Sequence, residues 1–299
     1  MNSAMTLDDS NIKNCFSVDV EDWFHGYLPM AQWHKYTSRL DRGLNVVLDL
    51  LAKNNTKGTF FILGCLVAEY PNLIKKIADA GHEIGSHTYT HEFVYKQTPD
   101  VFRAELRKTK SVLEQLTGRP CIAHRSPYFS ITSRCLWALD VLAEEGFTDD
   151  SSIISVTTWL YGLANCPDYI FKLKETGLRQ FPVSPLKLFG KKIGIGGAYF
   201  RMLPLGVTAN AMAQREAAGQ VSMFYIHPWE YDPGHPRVVV KDKMVSLGHY
   251  IKLNQTEAYT AGLLKRFRFT TMANVIRQAE SEGNIPEIAT SFFEQPSCG

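Results

Sequence analysis

The 299-residue sequence contains no run of about 18 consecutive apolar residues, so no transmembrane helix is expected. It also lacks a dominant sign of charge. The 32 basic and 30 acidic residues leave a net charge of +2, mixed along the chain without a block of either sign. Neither nucleic acid nor an anionic membrane surface is therefore an expected partner. Close cysteine pairs are missing too. Cys15, Cys65, Cys121, Cys135, Cys166 and Cys298 stand singly, which excludes a disulfide framework or a zinc knuckle and suits small buried hydrophobes. The start, Met1 to Ser10, has neither the basic residues nor the apolar run of a secretory signal, and with the cysteine usage this points to a cytoplasmic protein. Internal repeats and low-complexity segments are absent. What remains, 45% hydrophobic and 21% charged, is the balance of a folded globular enzyme.

The first two thirds of the chain alternate short apolar runs with helical patterns, as repeated β/α units do. Cys15–Val20, Gly58–Leu63, His82–Ser86, Cys121–His124, Phe147–Asp149 and Ser222–Ile226 read as strands. Helices are expected over 39–52, 71–80 and 99–116, and from a Thr132 cap to Glu145, with Pro71, Pro99, Gly81, Gly118 and Gly146 as their punctuation. Residues 151–200, rich in Gly, Pro and aromatics, read as a rim of loops, 257–282 as mostly helical, and the last dozen residues as frayed. Polar residues gather just past the strand ends: Asp19, Glu21 and Asp22, then His87 and His91, then Arg125, Asp150 and His227. In parallel β/α folds that edge carries the active site.

The residue types have a common chemistry. His87 and His91 form an H-x-x-x-H pair, whose spacing brings two imidazoles to one side if the segment turns helically. A carboxylate from Asp19-Val20-Glu21-Asp22 would complete a three-ligand metal site with open positions, suited to hydrolysis by a bound water. Asp19 and Glu21 share one side of an extended strand, whereas a bulge would bring Asp22 into play instead. Asp22 is favoured because the chain is already turning there. Arg125 offers a planar fork for a buried carboxylate, and His227 ends an apolar strand with Trp229 nearby. Trp23, Phe24, Tyr89, Tyr128, Phe129 and Trp229 flank these clusters and suit sugar faces as well as ordinary packing.

In this order the motifs resemble those of the NodB-homology polysaccharide deacetylases, carbohydrate esterase family four. Ser17–Asp22 stands where that family has a paired-aspartate motif, Ser86–His91 fits H-[ST]-x-x-H, and Arg125–Tyr128 fits R-x-P-[YW]. Asp150-Ser151-Ser152 and Ile226-His227 close the set, although the tryptophan usual after the second aspartate motif is missing. Val18–His25 and His227–Pro233 are further similar to a subgroup associated with bacterial exopolysaccharide and surface-glycan gene clusters. The resemblance implies an α/β fold, an incomplete and distorted (β/α)7 barrel. It implies one deacetylase domain over 14–285, with 228–285 as a subgroup-specific part and 1–13 and 286–299 as tails. A divalent metal, usually zinc with cobalt or nickel as alternatives, would be held by His87, His91 and one of Asp22 or Glu21. Asp19, oriented by Arg125, would be the base; His227, held protonated by Asp150, the acid; and Tyr128 an oxyanion donor through its backbone N–H, with Trp229 beside the substrate. The expected substrate is an N-acetylhexosamine in a bacterial polysaccharide or in a nucleotide-linked or lipid-linked precursor. Amidohydrolysis of a small amide and a non-catalytic glycan-binding module are the competing readings.

Overall fold

Along Asn14–Val20, apolar Phe16, Val18 and Val20 alternate with polar Ser17 and Asp19, and a strand sends these two sets to opposite faces. The computed structural model, which describes residues 13–156, 161–163, 165–188, 190–237 and 243–294, builds the sheet on that alternation. Seven strands run parallel: β1 (Asn14–Val20), β2 (Thr59–Ile62), β3 (Glu83–Ser86), β4 (Ala123–His124), β5 (Asp149–Asp150), β6 (Arg179–Gln180) and β7 (Met223–Ile226). Their order is β7-β1-β2-β3-β4-β5-β6. Phe171–Leu173 pairs antiparallel with β6, and Glu287–Ile288 continues that edge. Among the described residues no ladder joins β6 to β7. Isolated links cross the seam instead, from Met223 N–H to Ser184 Oγ at 2.9 Å and between Gly196 and Tyr225. The fold is thus α/β, mostly parallel and incompletely closed.

Two apolar layers follow from the alternation. Phe16, Val18, Val20, Phe60 and Ile62 pack outward against Leu44, Leu48 and Leu51 of the helix Leu40–Lys53 and against Phe102 and Leu106 of the helix Pro99–Thr117. Cys15, Phe61, Ala123, Phe129, Phe181 and Met223 form a separate inner layer. The helix Pro99–Thr117 starts where Thr98 Oγ1 accepts the Val101 N–H and stops at Gly118 in the left-handed region, as its sequence signals predict. Helix Leu40–Lys53 lies on the turn Pro228–Tyr231 so closely that a Cβ at Gly43 would stand 1.8 Å from the Pro228 carbonyl oxygen. Among the described residues no helix is long and apolar enough to cross a membrane.

Three expectations need correction. Thr132 does not cap a helix. The chain turns through i→i+3 bonds at Cys135 and Ala138, and the helix begins only at Trp137. Residues 151–200 are more ordered than a rim of loops, since they contain β6, its antiparallel neighbour, the hairpin of Pro185–Leu188 with Lys191–Gly194, and most of the helix Gly197–Met202. Edge strands this short carry too little periodicity to be read. The end is not uniformly frayed: Glu287–Ile288 joins the sheet, while 295–299 lie outside the described residues, as do 1–12. The segment 228–285 also packs into the barrel. Phe269–Thr270 pairs with β1, Met272 N–H donates to Thr59 Oγ1 at 2.7 Å, and Met272, Val275 and Ile276 enter the inner layer.

Candidate active site

The five parallel strands β1, β3, β4, β5 and β7 deliver their next residues, Glu21, His87, Arg125, Ser151 and His227, to one edge of the sheet. Because Ser17 and Asp19 share the inner face of β1, one guanidinium nitrogen reaches both: Arg125 Nη1 donates to Asp19 Oδ1 at 2.7 Å and to Ser17 Oγ at 2.9 Å. Its other donors go to Ser151, through Nη2 to Oγ at 2.9 Å and Nε to the carbonyl at 3.3 Å. The guanidinium also lies 4.3 Å from the Phe61 ring centre. Arg125 is fully buried and Asp19 nearly so, so this pair sets the Asp19 carboxylate in a fixed orientation. Its Oδ2 stands 3.9 Å from His227 Nε2.

The H-x-x-x-H segment is not helical. Thr88 and His91 both occupy the left-handed region, at φ 63° and 60°. A β-branched residue is strained there, by roughly 1–3 kcal/mol. Glu105 holds the loop in that shape, since its Oε2 accepts the N–H groups of Tyr89 and Thr90 and the Thr90 hydroxyl at 2.8–2.9 Å. The two imidazoles still face one another, with ring centres 5.2 Å apart. His87 Nδ1 pairs with the Arg125 carbonyl at 2.7 Å, which makes it the protonated nitrogen and leaves the Nε2 lone pair free. Burial pushes the His87 pKa down to about 4, so the ring is neutral.

Glu21, not Asp22, meets His91 and His227. Its Oε2 is 2.9 Å from His91 Nε2 and its Oε1 is 3.2 Å from His227 Nε2. Burial raises the Glu21 carboxyl, but His91 and then His227 and His87 outweigh it and hold the group well below the usual range. Asp22 is turned away. Its Oδ1 accepts the Trp23 N–H at 2.8 Å and its Oδ2 the Arg39 N–H at 2.9 Å, at the entry to the helix Leu40–Lys53. The chain does turn at Asp22, and that turn spends the carboxylate on backbone donors. The adjacent His25 Nδ1 accepts the Asp22 N–H at 3.0 Å, and burial lowers the His25 pKa to about 3.

Asp150 is likewise placed elsewhere than expected. It bonds the Ser152 hydroxyl and, at 3.1 Å, the Ser152 N–H, and burial raises its pKa to about 6. The partner of His227 is Glu230, whose Oε1 accepts from Nδ1 at 2.7 Å. Burial acts to lower the His227 pKa, but the Glu230 bond, Glu21 and Asp19 together raise it to about 9. Glu230 was legible only as part of the string His227-Pro228-Trp229-Glu230. Its role comes from the Pro228 turn, in which the Glu230 carboxylate also accepts the His227 N–H at 2.9 Å. Arg201, which donates Nε to Glu230 Oε2 at 2.6 Å, carried no sequence signal at all.

Asp19, Glu21, His87, His91 and His227 line a cavity of about 690 Å³ whose walls include Tyr27, Phe93, Tyr128, Tyr225 and Trp229. Phe93 and Tyr128 are stacked, 4.0 Å apart and 7° from parallel. Tyr128 and Phe129 both take left-handed backbone angles, φ 56° and 51°, immediately after Pro127. Among the described residues, no three His, Cys, Asp or Glu side chains are already spread around one centre as a bound ion would require. The donor set nevertheless fits a divalent ion. Glu21 Oε2 and His91 Nε2 stand together at 2.9 Å, and His87 presents a free Nε2. The 2.9 Å contact between Glu21 and His91 is within a few tenths of an ångström of the roughly 3.3 Å separating two donors on one tetrahedral zinc.

Residues 40–147 match the polysaccharide deacetylase family, and 151–277 match a domain of unknown function. Residues 40–147 thus carry a polysaccharide deacetylase domain of the NodB-homology type. A peptidoglycan-N-acetylglucosamine deacetylase of Bacillus cereus is 40% identical over 95 residues, 31% of this chain and 34% of that one. Its counterpart in Listeria monocytogenes is 30% identical over 179 residues, 52% of this chain and 37% of the relative. Chitin deacetylase 2 of Cryptococcus neoformans is 33% identical over 90 residues, 30% of this chain and 20% of that protein. The chain therefore spans about a third of the length of the first two relatives. A solved structure of a candidate polysaccharide deacetylase from Mycobacterium smegmatis superposes with a TM-score of 0.65 over 99% of both chains, at 19% identity, and so shares the deacetylase fold.

Proposed function

We propose that this polysaccharide deacetylase is a metal-dependent hydrolase of the carbon–nitrogen bond, removing acetate from an N-acetylhexosamine in a bacterial glycan or its precursor. The observation that carries the reading is the convergence, in one cavity, of an oriented carboxylate, an imidazole favoured in its charged form, two further histidines and a second carboxylate. Glu21, His87 and His91 would hold the ion, zinc by its donor types with cobalt or nickel as alternatives. When bound, the ion supplies Lewis-acid polarisation of the acetamide carbonyl and a water of lowered pKa.

Asp19, fixed by Arg125, accepts a proton from the water as its oxygen bonds the carbonyl carbon. The Tyr128 backbone N–H would face the resulting oxyanion. His227 Nε2 gives its proton to the sugar nitrogen as the C–N bond breaks, and the products are acetate and the free amine. The raised His227 pKa keeps that proton available at neutral pH. Trp229 and the stacked Phe93–Tyr128 pair offer flat faces to sugar rings. The similarity of Val18–His25 and His227–Pro233 to a surface-glycan subgroup supports an exopolysaccharide as the source of the substrate.

The test is acetate release from chelator-stripped protein with and without added zinc. The panel would hold N-acetylglucosamine oligomers, a nucleotide-linked N-acetylhexosamine and a lipid-linked one. Zinc-dependent release from any member supports the reading and identifies the carrier, finished polymer or cytoplasmic precursor. Silence across the panel with metal demonstrably bound would overturn it.

A further inference from the structure

His227 is held through its other ring nitrogen as well. Its Nδ1 and its backbone N–H both lead to Glu230 Oε1, at 2.7 and 2.9 Å, and Glu230 Oε2 accepts from Arg201 Nε at 2.6 Å. Arg201 then spends its remaining nitrogens on three carbonyls at the end of the helix Lys243–Tyr250. Nη1 reaches His249 at 3.2 Å and Ile251 at 2.7 Å, and Nη2 reaches Gly248 at 2.8 Å. The Arg201 and Glu230 side chains are both 0% exposed. Every oxygen of the carboxylate and every nitrogen of the guanidinium is thus committed, and such a network has little freedom to re-orient. With Nδ1 pinned as the nitrogen that donates to Glu230, the Nε2 of His227 is the one turned to the cavity, towards Glu21 and Asp19.

We propose, resting on the deacetylase reading above, that Glu230 and Arg201 are positioning residues that fix the His227 tautomer and aim Nε2 at the departing amine. In the step they support, the Nε2–H bond breaks and its proton joins the sugar nitrogen while the C–N electron pair moves to that nitrogen. The Nδ1–H stays on the ring throughout, and the proton that Asp19 took from water restores the imidazolium. Arg201, His227 and Glu230 all lie within 151–277, so the segment matching a domain of unknown function supplies the acid half of the active site. It also contributes cavity wall at Met202, Leu247 and Gly248, which ties the shape of the substrate pocket to the support of His227.

Leaving-group dependence separates this role from a merely structural one. The zinc-loaded protein would be assayed on N-acetylglucosamine oligomers and on 4-nitrophenyl acetate, whose phenolate departs without a proton. Glu230→Gln is expected to lower kcat on the amide about 10²-fold, with KM within about twofold and ester turnover within about threefold. Arg201→Lys, which keeps the charge but not the fork, should show the same split and serves if Glu230→Gln fails to fold. Equal loss on both substrates, or loss on neither, overturns the proposal.

A second measurement needs no turnover. In ¹⁵N-histidine-labelled protein the His227 Nδ1, assigned by its disappearance in His227→Ala, should be protonated. An unprotonated Nδ1 overturns the proposal even if the protein deacetylates. A protonated Nδ1 in a protein that releases no acetate would place the failure in the deacetylase reading instead.

Discussion

Neutralising Glu21 and neutralising Asp22 are changes one residue apart with different expected consequences. The Glu21 carboxylate is buried against His91 at 2.9 Å and His227 at 3.2 Å, and it is the anionic member of the proposed zinc-holding set. Structural zinc sites bind with roughly 10–16 kcal/mol over four ligands, or about 3 kcal/mol per ligand. Glu21→Gln should therefore weaken zinc about 10²-fold or more. Asp22 instead accepts two backbone N–H groups where the helix Leu40–Lys53 begins. Asp22→Asn keeps one acceptor and should cost about 1 kcal/mol of stability, as loss of a helix cap does. For a chain of this size that is a fall in Tm of about 2–4 °C, with zinc affinity unchanged. Competition against a chromogenic chelator gives the affinities, and thermal unfolding with and without zinc gives the stabilities. Zinc loss in Asp22→Asn with retention in Glu21→Gln would refute the assignment.

Other outcomes follow from the same contacts. Arg125→Met leaves Asp19 buried without its partner and should cost about 3–5 kcal/mol in urea unfolding; a loss below about 1 kcal/mol would mean that the pair is not as desolvated as it stands. Burial raises the Asp150 carboxyl from 3.8 to about 6, so the folded state binds more protons between those values. Its contribution to stability therefore falls as pH rises from 3.8 to about 6 and is level above, and Asp150→Asn should remove that slope. Because Asp150 bonds Ser152 rather than His227, the same variant should keep turnover within about threefold. Gly43→Ala puts a methyl group into the Pro228 carbonyl and should cost about 1–3 kcal/mol, with lower acetate release because His227 adjoins the displaced segment. Wild-type stability in Gly43→Ala would show that the helix can slide away freely.

Much of the site was legible because its residues are tied to local patterns. Asp19 sits in an apolar alternation, His87 and Arg125 directly follow strand ends, and Arg125 is the planar partner that a buried carboxylate needs. The pairing of Arg125 with Asp19 spans 106 residues, yet each half was marked by its own strand. Strands as short as Arg179–Gln180 and Phe171–Leu173 left no readable period, and so 151–200 read as loops.

The sequence by itself determined the β/α order, the edge on which the polar residues gather, and the presence there of Asp19, Arg125, His87 and His91. Which carboxylate serves which partner was decided only in three dimensions. Glu21 displaces Asp22 because the backbone of the following turn claims Asp22, and Glu230 displaces Asp150 because Pro228 folds it back under His227. Arg201 is the clearest case. Its partners are Glu230, 29 residues away, and carbonyls 47 to 50 residues away, and no spacing in the chain encodes contacts that only tertiary packing brings together. Periodicity reports the face on which a side chain lies, whereas its partner depends on every element that packs against that face.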